Sequence, residues 1–142
     1  MRIADVLRTK GTVVHTVRSD ARVAELVEQL QRHDVGALVV VDGDAVIGIV
    51  SERDVVRRLA DRGAVLLDAP VSEIMSAAVV TCTPGDTVDH VMGVITERRF
   101  RHLPVLVDGT LGGIVSIGDM VSATMRELER ERAQLESYIS GG

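Results

Sequence analysis

The sequence predicts an α+β (α/β) fold, two β-α-β-β-α repeats packed with pseudo-twofold symmetry and a long C-terminal helix. Three observations predict it. The stretch Gly48-Ile49-Val50-Ser51-Glu52-Arg53-Asp54 recurs 65 positions later as Gly113-Ile114-Val115-Ser116-Ile117-Gly118-Asp119. The helical stripe Val23, Leu26, Val27, Leu30 recurs at the same offset as Val88, Val91, Met92, Ile95. Paired β-branched runs around Asp42-Gly43-Asp44 and Asp108-Gly109-Thr110 read as two hairpins. A repeat of this size implies a unit that cannot bury its apolar face alone and needs its twin.

In chain order, Ile3 to Leu7 reads as a short helical turn, with Val71 to Met75 as its counterpart at an offset of 68. The polar segment Arg8 to Thr12, containing Gly11, reads as a loop, shortened in the second copy to Ser76 and Ala77. Short strands are expected at Val13 to Val17 and Val79 to Cys82, with Thr16 and Thr81 at equivalent places. Asp20 or Ser19 is expected to cap the first amphipathic helix, and Thr87 or Asp86 the second. Strands follow at Ala37 to Val41 and Val46 to Val50, then at Leu103 to Val107 and Leu111 to Val115. Each hairpin leads into a helix, roughly Glu52 to Arg62 and Ile117 onward. The division is residues 1–63, 71–128 and a helical tail 129–142, with Gly63 to Ser72, which contains Pro70, as an ordered crossing.

Along the last helix, Val121, Met125, Leu128, Leu135 and Ile139 keep close to a 3.5-residue spacing, interrupted by Arg132. This suits a coiled-coil seam, and equally a tail folded back on its own module. The charges along Arg126 to Arg132 read as a solvated face.

The repeated motif admits two chemical readings. A strand hands over to a helix start, where free N–H groups and the positive dipole end suit an anion or polar ligand. The aspartate three positions after the serine can accept one hydrogen bond on each oxygen from neighbouring ribose hydroxyls, strengthened by its charge. The same Ser-x-x-Asp is also a capping box, in which serine caps the helix and the acid reaches back.

Composition narrows the classes. The 142 residues, 46% hydrophobic, suffice for one core of ordinary size, built almost without aromatics since Phe100 and Tyr138 are the only ones. That scarcity disfavours stacking on single-stranded nucleic acid, and a net charge of −5 disfavours duplex binding. Cys82, the lone cysteine, falls in an apolar stretch and reads as a small buried hydrophobe. No run approaches a membrane span and the N-terminus has no h-region, so a soluble, cytoplasmic protein is expected.

With Arg101-His102-Leu103-Pro104-Val105 before the second hairpin, and Val35-Gly36-Ala37-Leu38-Val39 in the matching place of the first, the chain resembles a tandem pair of CBS domains, or Bateman module, over nearly its whole length. It is similar to small standalone bacterial members with a Leu-Glu-x-Tyr-Ile tail, here Leu135 to Ile139. The resemblance implies binding of an adenosine compound (AMP, ADP, ATP, NAD(H) or S-adenosylmethionine) in clefts between the repeats, with no obligatory cofactor and no catalysis. It implies that Asp54 and Asp119 hold ribose hydroxyls and that Ser51 and Ser116 bond ribose or phosphate. It also implies that Thr16 and Thr81, with the backbone at Ala37 and His102, line an adenine pocket. Pro104 belongs to the same matched segment. The halves differ at phosphate positions: Arg53 is matched by Gly118, while Arg98, Arg99, Arg101 and His102 are matched by His33, Asp34, Gly36 and Ala37. Unequal sites follow, and Arg53 and Arg101 can meet a common phosphate if each cleft draws on both halves.

Other chemistry finds little support. His15, His33, His90 and His102 lack zinc-site spacing, no Walker or Rossmann glycine pattern occurs, and neither motif serine sits in a nucleophile elbow. The expectation is a non-enzymatic regulatory module, homodimeric, that shifts between orientations on binding and signals to a separate effector protein. The competing expectation is a ligand-free structural or dimerisation module in which serine and aspartate merely cap helices.

Overall fold

The structure, a computed structural model, describes residues 1–77 and 79–141. In the first repeat β1 (Thr16–Arg18), β2 (Ala37–Asp42) and β3 (Ala45–Ser51) form a sheet in the order β1-β2-β3, with α2 (Val23–His33) and α3 (Glu52–Arg62). In the second, β4 (His102–Val107) pairs with β5 (Thr110–Ser116), accompanied by α4 (Val88–Arg98) and α5 (Ile117–Ser140). The two hairpins are built alike: β2 and β3 are antiparallel from Ala37↔Ser51 to Asp42↔Ala45, and β4 and β5 from His102↔Ser116 to Val107↔Thr110. The register shifts at equivalent places, between Val40 and Val41 and between Val105 and Leu106. The expected strands and closing helices of both hairpins are therefore present.

The first strands differ from expectation. The strand expected at Val13 to Val17 begins later, at Thr16, and runs parallel to β2. The strand expected at Val79 to Cys82 is reduced to one parallel bridge, Cys82↔Val105; its Ala78 neighbour lies outside the described residues. The reason is Pro104. In the first repeat Val39 donates its N–H to the His15 carbonyl at 3.3 Å, whereas Pro104 occupies the equivalent place and has no N–H to donate.

Each repeat borrows the segment that precedes the other. The N-terminal helix α1 (Ile3–Lys10) places Ile3, Val6 and Leu7 in the second core, beside Leu103, Val115 and Met120. The crossing segment places Leu66, Ala69, Val71 and Ile74 in the first core, beside Leu26, Leu38 and Val50. Matching bonds lock both: Ile3 N–H to Asp86 O (2.9 Å) and Val88 N–H to Met1 O (3.0 Å), against Val71 N–H to Ala21 O (2.8 Å) and Val23 N–H to Ala69 O (2.9 Å). Burying each leucine or isoleucine of these segments contributes about 2 kcal/mol. The first glycine of each repeated motif makes room for this exchange. A Cβ on Gly48 would meet Met75 Sδ at 2.7 Å, and one on Gly113 would meet Leu7 Cδ2 at 3.0 Å.

Further local differences have simple causes. Helix α1 runs through the loop expected at Arg8 to Thr12, as far as Lys10, and stops at Gly11 with φ 99°. Helix α2 is preceded by Arg22, which makes no side-chain cap; Asp20 instead pairs with Arg18 at 3.0 Å, and Ser19 offers its carbonyl to Ser72 N–H. On α4, Thr87 is the cap, accepting from His90 N–H at 3.1 Å. Val27, expected in the core, is 38% exposed, since the stripe of α2 is satisfied by Val23, Leu26 and Leu30. The buried Cys82 thiol has its pKa pushed up to about 12, by burial first and then by the charge of Asp86.

Helix α5 has 24 residues against 11 in α3, about 36 Å at 1.5 Å per residue. Its start packs on the second core through Met120 and Ala123. From Leu128 to Gly141 every residue is exposed, so the tail does not fold back on its own module. Among the described residues no helix is long and apolar enough to cross a membrane.

Candidate functional site

Both repeated motifs form complete capping boxes. Ser51 Oγ accepts from Asp54 N–H at 3.3 Å, while Asp54 Oδ2 accepts from Ser51 N–H at 2.8 Å. Ser116 and Asp119 repeat this at 3.1 and 2.8 Å. Capping does not exhaust the acid: among the described residues the hydrogen bonds to Asp54 all fall on Oδ2, including one from Ser51 Oγ at 3.0 Å. Oδ1 retains its acceptor capacity.

Around the first motif lies a cleft of about 1000 Å³ drawn from both repeats. The start of α3 contributes Ser51, Glu52, Arg53, Asp54 and Arg57, and the connection from α4 to β4 contributes Arg99, Phe100, Arg101 and His102. Gly36 and Ser76 complete the wall, with Ile49 and Val56 as apolar surface. Arg53 and Arg57 are one helical turn apart and share a face. Four arginines thus stand against two carboxylates. Among the described residues none of the four takes part in an ion pair. Arg99 ends α4 in the left-handed conformation, φ 62°, as Asp34 ends α2 at φ 52°. Aspartate tolerates that conformation through local hydrogen bonding; arginine does not, and holds a cation there at a local cost of about 1 kcal/mol.

His102 joins the two motifs. Its ring packs against Gly36, where an added Cβ would lie 3.7 Å from Nε2, and it starts β4 opposite Ser116. Burial lowers its pKa first, and the charge of Lys10 lowers it further; Asp119 and Glu52 oppose that, and Arg101 adds to it. The imidazole is therefore neutral at pH 7, able to donate from one nitrogen and accept on the other.

The second motif is arranged differently. Lys10, at the end of α1, places Nζ 2.5 Å from Asp119 Oδ2 and 2.6 Å from the Ile114 carbonyl oxygen. The side chains of this pair are 29% and 25% exposed. Burial of Asp119 works against its ionisation, but the hydrogen bonds from Lys10 and the Ser116 N–H, with the lysine charge, outweigh it and lower the pKa.

Of the residues singled out from sequence, the structure brings Ser51, Arg53, Asp54, Arg101 and His102 to one cleft. Thr16, Ala37, Thr81, Pro104, Ser116 and Asp119 are not among its lining residues. Thr16 and Thr81 are exposed, Ala37 and Pro104 are buried at the hairpins, and Pro104 O accepts from Cys82 N–H at 3.0 Å. Glu52, Arg57 and Phe100 of the lining escaped sequence reasoning, although the Arg53–Arg57 spacing on a helix start was a usable signal. Lys10 gave none, because its partner lies 109 positions away.

The CBS domain profile matches residues 3–61 and 71–126. The chain is 36% identical over 149 aligned positions, spanning 99% of it and 72% of the relative, to the mitochondrial CBS domain-containing protein CBSX3 of Arabidopsis thaliana. A CBS-domain protein of Agrobacterium tumefaciens superposes with TM-score 0.84 at 42% identity, covering 87% of this chain and 99% of that one. The CBS domain pair of protein MJ0100, solved in complex with 5-methylthioadenosine and S-adenosyl-L-methionine, superposes with TM-score 0.76 at 25% identity over 86% and 98% of the two chains. The chain therefore belongs to the CBS domain family, as a tandem pair.

Proposed function

We propose that this CBS pair is a sensor of phosphorylated adenosine, AMP, ADP or ATP, bound in the cleft at Ser51–Asp54 and read by a separate effector protein. The observation that carries this reading is that Arg53, Arg57, Arg99 and Arg101 line a single cleft together with the capped carboxylate of Asp54. Asp54 Oδ1 is an acceptor for a ribose hydroxyl, and Ser51 stands beside it. In this reading the arginines take the phosphates, a group that guanidinium binds bidentately. Phe100, Ile49 and Val56 offer the apolar wall an adenine needs, and His102 offers both a donor and an acceptor.

Charge selects among adenosine compounds. A single arginine about 4 Å from a phosphate is worth about 4 kcal/mol at an effective dielectric constant of about 20. The same cluster repels the sulfonium of S-adenosylmethionine, so the ligand of the MJ0100 pair is not the one proposed for this cleft. Binding would favour one orientation of the two repeats, since the cleft draws on both, and the effector would recognise that orientation. The chain is proposed to act as a homodimer through the exposed apolar stripe of α5.

Calorimetry with AMP, ATP, NADH and S-adenosylmethionine tests the reading. ATP and AMP should bind, and more weakly as salt rises; S-adenosylmethionine should bind at least tenfold more weakly than ATP. The second reading, a ligand-free assembly module, is favoured by the two complete capping boxes, which account for both serines and both acids structurally. Absence of heat with all four compounds would select it.

A further inference from the structure

We propose that Lys10 closes the second repeated motif to nucleoside, so that each chain binds one nucleotide, at Asp54, and that removing the ammonium opens a second site at Asp119. This rests on the ribose role proposed for the motif aspartate.

The two motifs are alike in backbone and in capping, and differ in what else reaches the acid. Among the described residues Asp54 has only donors of its own motif, the N–H and hydroxyl of Ser51. Asp119 has in addition the Lys10 ammonium at 2.5 Å, on the same Oδ2 that accepts from Ser116 N–H, so what sets it apart is the cation held against the carboxylate and not the loss of Oδ1. An ammonium offers a carboxylate a charged donor that the neutral hydroxyls of a ribose diol do not match, and does so without leaving the chain. The pair is also withdrawn from water. Its side chains are 29% and 25% exposed, against 73% and 69% for the surface pair Arg18–Asp20. A hydroxyl that displaced Lys10 would leave a half-buried ammonium without its anion, which opposes the exchange.

The lysine is there because the chain takes different paths at equivalent places. In the first repeat Ile49 is satisfied by backbone alone, its N–H bonding Ser76 O at 3.1 Å and its carbonyl accepting from Ser76 N–H at 2.9 Å. In the second, α1 remains helical through Lys10. The carbonyl of Ile114, the counterpart of Ile49, instead accepts from the lysine side chain at 2.6 Å. One ammonium thereby replaces a missing backbone bridge and neutralises the motif acid.

Calorimetry of the full chain with adenosine, which needs no phosphate-binding arginine, tests this through stoichiometry, which a merely structural lysine would not change. Wild type should bind one adenosine per chain, lost on Asp54→Asn and retained on Asp119→Asn. Lys10→Met should bind two, the second lost when Asp119→Asn is added. Lys10→Gln keeps an N–H donor for the Ile114 carbonyl without the charge, and serves if Lys10→Met fails to fold; Lys10→Arg should stay at one. Two sites in wild type, one site lost with Asp119→Asn instead of Asp54→Asn, or one site in both neutral variants overturns the proposal. No binding of adenosine or of ATP by wild type or by any variant overturns the nucleotide reading itself, which keeps the two failures distinct.

Discussion

The two repeats share a backbone and differ in charge. Their hairpins pair in the same register with the same irregularity, their motif glycines each clear the exchanged segment packed against them, and α2 and α4 are both followed by a left-handed residue. At the cleft the likeness ends. Arg53 is matched by Gly118, Arg101 by Gly36 and Arg99 by Asp34, while Lys10 neutralises only the second motif acid. Packing constrains what both halves must have in common, because each core accepts a segment from the other. Cleft side chains carry no such constraint and can diverge, which turns a symmetric scaffold into one open, cationic cleft and one neutralised motif.

The contrast can be broken at three points. The closing helices differ most in length, and the extra turns of α5 expose Leu128 at 55%, Leu135 at 63% and Ile139 at 78%. If they form the homodimer seam, Leu128→Glu with Leu135→Glu removes four buried leucines per dimer, each worth about 1.5–3 kcal/mol. Mass in solution should then halve, with the fold retained by circular dichroism. Next, Arg53→Gln with Arg101→Gln gives the open cleft the neutrality of its counterpart. Charge-assisted bonds contribute about 1.5–3 kcal/mol each, so ATP affinity should fall about a hundredfold or more while adenosine affinity stays within about threefold, by calorimetry.

The smallest effect concerns pH. His102 is held below its ordinary pKa of 6.5 by burial and by Lys10, so the unfolded chain takes up a proton there more readily than the folded one. Stability from this group is complete above pH 6.5 and is lost as pH falls through the folded value. His33, stacked on His15 at 3.6 Å with its pKa lowered by burial and by His15, acts in the same sense. The melting temperature should drop below pH 6.5, and His102→Ala, which restores the residue of the first repeat, should flatten that drop without abolishing it.

Much of this was legible in the sequence because it is local. Ser51-x-x-Asp54 and its twin announce capping boxes, the Asp-Gly turns announce hairpins, and the 65-residue offset announces two equivalent halves. Pro104 was visible too, but its consequence depends on knowing that Val39 donates to His15 across a parallel pair. The exchange of residues 3–7 and 66–74 between cores was not legible, since apolar residues state that they are buried and not against what. The Lys10–Asp119 bond was hidden because its partners lie 109 positions apart. Val27 misled because helical spacing marks a stripe without fixing its width.

The central claim is that Asp54 grips the ribose of a nucleotide held by the arginines of the open cleft. Its most direct test is a double cycle, ATP and 2′-deoxy-ATP against wild type and Asp54→Asn, a substitution that retains a side-chain oxygen for the Ser51 N–H. Loss of the 2′-hydroxyl should weaken binding to wild type about tenfold and binding to Asp54→Asn hardly at all. Equal losses in both proteins, or none in wild type, would contradict the account.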